Sequence, residues 1–287
     1  MIAAAPAPQT AQRPRLSDEQ VARFRHDGYL SYRQPVFDPE SFAALQAHFD
    51  TMLTQMPPGL RPENLDVPHF ADPGLFRWLL SDAVLDLVEP LLGPDIALFS
   101  SHFICKPAGD GKRVPWHEDS AYWGDMLVPM QVVTVWLALD RADTENGCMR
   151  IIPRTHLNGY SRYEPVSQPE LNVFGTEIIR EDHDASRAVD LVLDPNQASL
   201  HDGKLMHGSN KNSSSRRRCG YTMRYISTRS RLHPRFHDIH KIFLGRGRDH
   251  AGNTYGDPTR VHGETLKARA EAWKTRDDGK PSIRSGH

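Results

Sequence analysis

What this chain lacks narrows its role first. No run approaches the ~20 consecutive apolar residues of a membrane-spanning helix, so no membrane partner is expected. Neither sign of charge dominates, with 35 Lys and Arg against 36 Asp and Glu. A net charge of -1 provides no basic stripe for nucleic acid and no cationic footprint for an anionic lipid surface. The expected partner is therefore a small-molecule substrate. Cysteine is scarce, and Cys105, Cys148 and Cys219 are odd in number and far apart, which argues against a disulfide framework or a zinc ribbon. A reducing, cytoplasmic compartment fits this usage. The opening MIAAAPAPQTAQRPRL lacks the continuous apolar stretch of a signal peptide and reads as a disordered leader. No internal repeat is visible, and a monomer and a homodimer are equally compatible with the composition.

What is present suggests one domain. With 287 residues, 38% of them hydrophobic, the chain can bury one sizeable core. The expected boundaries are a leader over 1–15, a domain over 16–264 and a charged tail over 265–287, the tail starting as a short helix. Ser17 and Gln20 form a capping box that predicts a helix ending at Gly28, followed by a strand at Tyr29 to Tyr32. Phe42, Leu45, Phe49, Met52 and Leu53 recur at helical spacing after Asp38, and a further helix is expected from Leu75 to Leu92. From Ile96 the texture becomes short β-rich runs: IALFSSHFICK, QVVTVWLALD, CMRIIP, AVDLVL, ASLHD and YTMRYIST. Antiparallel strands with helices gathered at one end predict a mainly β fold with flanking helices, its core a cupin-like jelly roll, or double-stranded β-helix.

Two segments carry chemistry. In WHEDSAYW, His117 and Asp119 stand two residues apart, so extended backbone projects both side chains to the same side. Alone, such a pair is also a chance product of a chain with 15 histidines. Ninety residues later, LMHGSNKNSSSRRRCGYTMRY supplies His207 and, one hairpin on, Arg218. Two histidines and one carboxylate form the facial triad of non-haem iron(II) oxygenases. A guanidinium nearby can clamp the far carboxylate of a 2-oxo diacid with two parallel hydrogen bonds.

These residues resemble the phytanoyl-CoA dioxygenase family over about Leu16 to Arg246. The likeness runs from LSDEQVARFRHDGYL through FICKPAGDGKRVPWHED and TVWLALDRADTENGCMRIIPRTH to HGSNKNSSSRRRCGYTMRYIS. It implies His117, Asp119 and His207 as Fe(II) ligands and catalytic residues. It implies Arg218 and Ser209 as partners of the 2-oxoglutarate carboxylate, Trp136 as a wall beside that cosubstrate, and His102 as facing it. For His102, a satisfied, partly buried histidine is the competing reading. Lys106 matches a position often filled by lysine; it either reaches an anionic group or sits on the rim. Tyr122 and Trp123 either wall a substrate pocket or pack the barrel. IPRTH departs from the family's usual Gly-Ser-His ending, which bears on loop shape. His156 and His201 are expected to be structural, the latter at a strand-end turn. Arg216 and Arg217 are expected on a solvated hairpin face, and Arg224, on the strand after the clamp, either faces the interior or has no role.

The resemblance implies a 2-oxoglutarate-dependent dioxygenase that couples conversion of 2-oxoglutarate and molecular oxygen to succinate and carbon dioxide with hydroxylation of an unactivated C–H bond. Desaturation, epoxidation or cyclisation in natural-product biosynthesis would use the same ligands. Halogenases of this type replace the carboxylate ligand with a small residue, whereas Asp119 is present here. Rival readings are a non-redox cupin-like metal-binding module, a zinc hydrolase and a demethylating oxygenase acting on nucleic acid or histones. Substrate contacts are expected on the loops Gln55 to Asp72, Tyr160 to Asp190 and Ser230 to Pro258.

Overall fold

Residues 15–274 are described by a computed structural model. The capping box forms as the sequence predicts. Ser17 Oγ accepts from Gln20 N, the Gln20 side chain accepts from Ser17 N, and the helix Asp18–Asp27 stops at Gly28 with φ 80°. Asp38 caps the next helix, Pro39–Thr54, by accepting from Ser41 N. The single helix expected from Leu75 to Leu92 is instead two, Phe76–Leu79 and Asp82–Leu92. Ser81 breaks it. Its backbone is extended (φ -72°, ψ 148°) at the start of the second helix, while its hydroxyl donates to Trp78 O. A serine that bonds back to the chain competes with helix propagation.

The larger of two main sheets is seven-stranded. Its order is Tyr29–Tyr32, Ala198–Asp202, Val132–Ala138, Arg218–Ser227, Ile96–Lys106 and Phe243–Arg246, with Leu65–Asp66 also paired to Ile96–Lys106. The smaller sheet orders Val189–Asp190, Met149–Ile151, His207–Ser209 and Val114–His117. All these pairings are antiparallel. The expected strand AVDLVL shrinks to Val189–Asp190, paired only with Met149–Ile151 at the sheet edge. This is the jelly roll that the strand pattern predicts.

Period-two alternation in the central strand Arg218–Ser227 separates core from site. Cys219, Tyr221, Met223 and Tyr225 pack under the N-terminal helices with Phe49, Trp78 and Leu85. Phe103 stacks on Tyr221 with centroids 3.8 Å apart, a pair worth about 0.5–1.5 kcal/mol beyond its buried area. The intervening residues Arg218, Thr222 and Arg224 line a cleft on the opposite face. The neighbouring strand repeats the division, sending Val133, Val135 and Leu137 to the core and Trp136 to the cleft.

The C-terminal helix Gly263–Lys274 crosses the boundary expected at residue 264. Thr265 and Arg269 are buried, so this helix packs into the domain and does not begin a tail. The remainder of the expected tail, and all but residue 15 of the leader, lie outside the described residues. Among the described residues, no helix is long and apolar enough to cross a membrane.

Gly220 is the narrowest point of this packing. A Cβ there would stand 2.0 Å from Trp136 Cζ2, and the indole is buried on the cleft side. Gly220→Ala is therefore expected to displace Trp136 and to cost about 1–3 kcal/mol, read as a lowered melting temperature in a thermal denaturation scan. An unchanged melting temperature would contradict this packing.

Candidate metal and cosubstrate site

The strand Val114–His117 ends at His117, and Asp119 begins a short helix, Asp119–Trp123. The same-side argument for the pair still holds because Glu118 between them is extended (φ -112°, ψ 126°). His207 is the direct register partner of His117 across the smaller sheet, and their rings lie 4.1 Å apart. One ligand atom from each of His117, Asp119 and His207 falls within 4.8 Å of the others, and all three residues are buried.

Hydrogen bonding prepares both histidines in the same way. His117 Nδ1 donates to Pro115 O at 2.8 Å and His207 Nδ1 donates to Leu205 O at 2.9 Å. Each bond leaves the Nε2 lone pair facing Asp119 Oδ1, at 3.7 Å and 3.9 Å. Burial and the adjacent His117 hold His207 well below the usual imidazole range, so it is neutral at pH 7 and able to ligate. Burial alone would raise the carboxyl of Asp119. Arg224, with Nε 3.0 Å from Oδ2 and Nη2 3.3 Å from Oδ1, together with His117, His201 and His207, more than offsets burial and holds the acid well below the usual carboxylate range. Two imidazoles with their Nε2 atoms turned toward an ionised carboxylate at this spacing fit a divalent metal ion.

A cleft extends from the triad to Arg218, lined also by Trp136, Ser209 and Phe174. The Arg218 guanidinium is buried yet has no carboxylate within 4.0 Å among the described residues; its Nε and Nη2 donate to Gly147 O at 3.0 Å and 2.8 Å. Nη2 also lies 3.3 Å from Ser209 Oγ. Gly147 belongs to the ENG turn. Its φ of 74° and a Cβ position only 2.4 Å from Asn210 O require glycine there. Lys106, opposite Arg218 in register, is fully buried and donates to Asn210 O. Its burial and the nearby Arg218 push the ammonium well below its usual range.

A model of the family described as phytanoyl-CoA dioxygenase (PhyH) matches residues 24–220. The chain belongs to the phytanoyl-CoA dioxygenase family. It is 30% identical over 148 residues to the peroxisomal phytanoyl-CoA dioxygenase of Bos taurus, a stretch covering 50% of this chain and 43% of that protein. It thus spans under half the length of that relative. The ectoine dioxygenase of Sphingopyxis alaskensis is 25% identical over 244 residues, covering 77% and 79%. Among solved structures, the non-heme monooxygenase ThoJ in its apo form is similar at TM-score 0.68 and 26% identity over 89% of this chain and 94% of that one. EctD from S. alaskensis with bound Fe aligns at TM-score 0.62 and 23% identity over 76% and 79%, which is a likeness of fold.

Within this family member the residues singled out from sequence fall into four places. His117, Asp119, His207, Arg218, Ser209 and Trp136 share the first cleft. His102, Tyr122 and Trp123 line a second cleft that meets the first at Asp119, so His102 does not adjoin Arg218. His102 Nε2 donates to Glu63 O because the Leu65–Asp66 strand pairs beside it. Lys106 lines neither cleft. It is not a rim lysine either, being sealed behind Arg218. Arg216 and Arg217 form ion pairs with Asp143, Glu145, Asp50 and Asp140 on the outer face.

Sequence reasoning passed over Glu118, read His201 as structural and weighed Arg224 without giving it a role. The HDG stretch at 201–203 does mark the end of the strand Ala198–Asp202 and the turn after it, and the His201 ring lies 4.7 Å from that of His207. Glu118 is fastened by Ser161 Oγ at 2.7 Å and Tyr163 at 3.2 Å. These bonds hold the Tyr160–Asp190 insert over the triad, where the Phe174 ring meets that of His117 edge-on at 4.9 Å. Only the alternation of Arg224 with Arg218 and Thr222 could have flagged it.

His117→Ala and Asp119→Asn are each expected to abolish stoichiometric divalent-metal binding, measured by titration with Co(II). Arg224→Gln keeps all three ligands but loses the guanidinium behind the carboxylate, and about 10–100-fold weaker metal binding is expected. Full affinity in all three variants would disprove the site.

Proposed function

We propose that this chain is an Fe(II)- and 2-oxoglutarate-dependent dioxygenase that hydroxylates an unactivated C–H bond of a small molecule. The observation that carries the reading is the buried Arg218 guanidinium, unmatched by a carboxylate among the described residues, at the far end of a cleft whose near end is the His117, Asp119, His207 cluster. A buried cation calls for an anion, and a guanidinium presents parallel donors that suit a carboxylate. A dicarboxylic 2-oxo acid has one end for each site. When bound, iron would supply oxygen activation, which no side chain of this cleft can perform.

The protein's own groups then orient and exclude. Arg218 and Ser209 take the distal carboxylate, and the indole of Trp136, over which the guanidinium carbon lies at 5.4 Å, fixes the plane of the clamp. Phe174 and Tyr122, with centroids 5.2 Å apart, close the triad from water on the insert side. Asp119 occupies the ligand position that a halide would need, which favours hydroxylation over halogenation.

Succinate release from 2-oxoglutarate with Fe(II) and oxygen tests the reading, and its absence would refute it. Arg218→Ala is expected to raise the KM for 2-oxoglutarate by about 100-fold, in keeping with the loss of a charge-assisted bidentate contact. An unchanged KM, or a larger effect from Arg216→Ala, would place the clamp elsewhere. With the substrate in hand, labelled oxygen gas is expected to leave one labelled atom in the product; a chlorinated product from the wild type in chloride buffer would reject hydroxylation.

A further inference from the structure

The second cleft runs from Asp119 to a polar floor that the cosubstrate reading leaves unused. Asp66 comes from the Gln55 to Asp72 loop, His240 from the Ser230 to Pro258 segment and Arg269 from the C-terminal helix. Arg269 donates to Asp66 Oδ2 through Nε at 3.2 Å and Nη2 at 2.7 Å, and its Nη1 lies 3.2 Å from His240 Nδ1. His240 Nε2 donates to Phe99 O at 2.8 Å, which makes Nδ1 the acceptor for that guanidinium. Arg224 spends Nε and Nη2 on Asp119, and its Nη1 has no acceptor among the described residues.

Two features of this floor point to its ligand. The first is an unmet donor. Arg224 is paired with Asp119 and Arg269 with Asp66, yet Arg224 Nη1 has no acceptor among the described residues, and a carboxylate oxygen would satisfy it. The second is a facing pair of acceptors. His102 Nε2 donates to Glu63 O at 2.9 Å, so Nδ1 is an acceptor; it stands 4.0 Å from Asp66 Oδ1, and neither atom receives a hydrogen bond from the described residues. Burial keeps His102 below the usual imidazole range, so it does not supply the missing proton. A donor placed between the two would satisfy both.

We infer that the substrate is a small amino or hydroxy acid, its carboxylate held by Arg224 and Arg269 and its ammonium or hydroxyl group held between Asp66 and His102. The inference rests on the oxygenase reading for the role of the cleft but is tested by binding alone. Phe99, Trp123 and Phe174 give the same cleft an aromatic wall.

The test is calorimetric titration of protein saturated with Mn(II) and 2-oxoglutarate under nitrogen. The probes are the L-amino acids, their 2-hydroxy analogues, plain carboxylic acids of equal length, the corresponding carboxamides, and palmitoyl-CoA. Amino or hydroxy acids are expected to bind about tenfold tighter than both plain acids and amides, and the comparison of ammonium with hydroxyl identifies the donor. Asp66→Asn is expected to erase the preference over plain acids. The double variant Asp66→Asn with Arg269→Gln, which orphans no buried charge, is expected to erase the preference over amides. If the double variant does not fold, Asp66→Asn alone decides. Preferences that survive both variants, amides or palmitoyl-CoA binding as well as the acids, or no acid binding at all would overturn the proposal. Because no turnover is read, these results stand apart from succinate release, whose failure would instead strike the oxygenase reading.

Discussion

Asp119 sits at the seam between the two sheets, and an ionised carboxylate enclosed there costs several kcal/mol of desolvation unless cations face it. Arg224 faces it through two hydrogen bonds, and the Nε2 atoms of His117 and His207 converge on it from the other sheet. The metal-sized gap, the tautomers of the two histidines and the meeting of the two clefts all follow from where this carboxylate is held. Glu118, one residue earlier, points the other way into Ser161 and Tyr163. The same two-residue stretch thereby positions a ligand and fastens the insert above it.

The central strand makes that arrangement possible by dividing its residues between two environments. Tyr221, Met223 and Tyr225 lock it under the helices, and that apolar anchoring fixes the directions of Arg218, Thr222 and Arg224 on the other face. Two guanidiniums six residues apart on one rigid strand are thus aimed at two different tasks. Arg224 compensates a carboxylate of the protein. Arg218 compensates none among the described residues and is turned by the Gly147 carbonyl toward the cleft. A site built on a strand buried at every position is pre-organised, with little rotamer freedom left to lose on binding.

Most of the fold's elements, and the chemistry of its centre, were legible along the chain because they depend on short spacings. A capping box spans four residues, a strand alternates every two, and His117 and Asp119 share a side because one extended residue separates them. Where local signals compete, the reading slipped: Ser81 splits a helix whose apolar pattern runs on across it, and Thr265 begins no tail because its helix has a buried face. The three loops expected to reach a substrate do supply Asp66, Phe174 and His240 to the clefts, though nothing in their composition marks those residues.

By itself, then, the sequence determined the jelly-roll class, the family resemblance and which histidines and carboxylate gather as the candidate metal site, since periodicity and motif order survive in one dimension. Only the tertiary structure decided that Arg224 backs Asp119, that His102 belongs to the second cleft and that Lys106 is sealed behind Arg218. It alone joined Asp66 to Arg269 across 203 residues. Such meetings are set by sheet register and by the docking of loops and a terminal helix, and these depend on the burial of distant apolar faces that no spacing along the chain encodes.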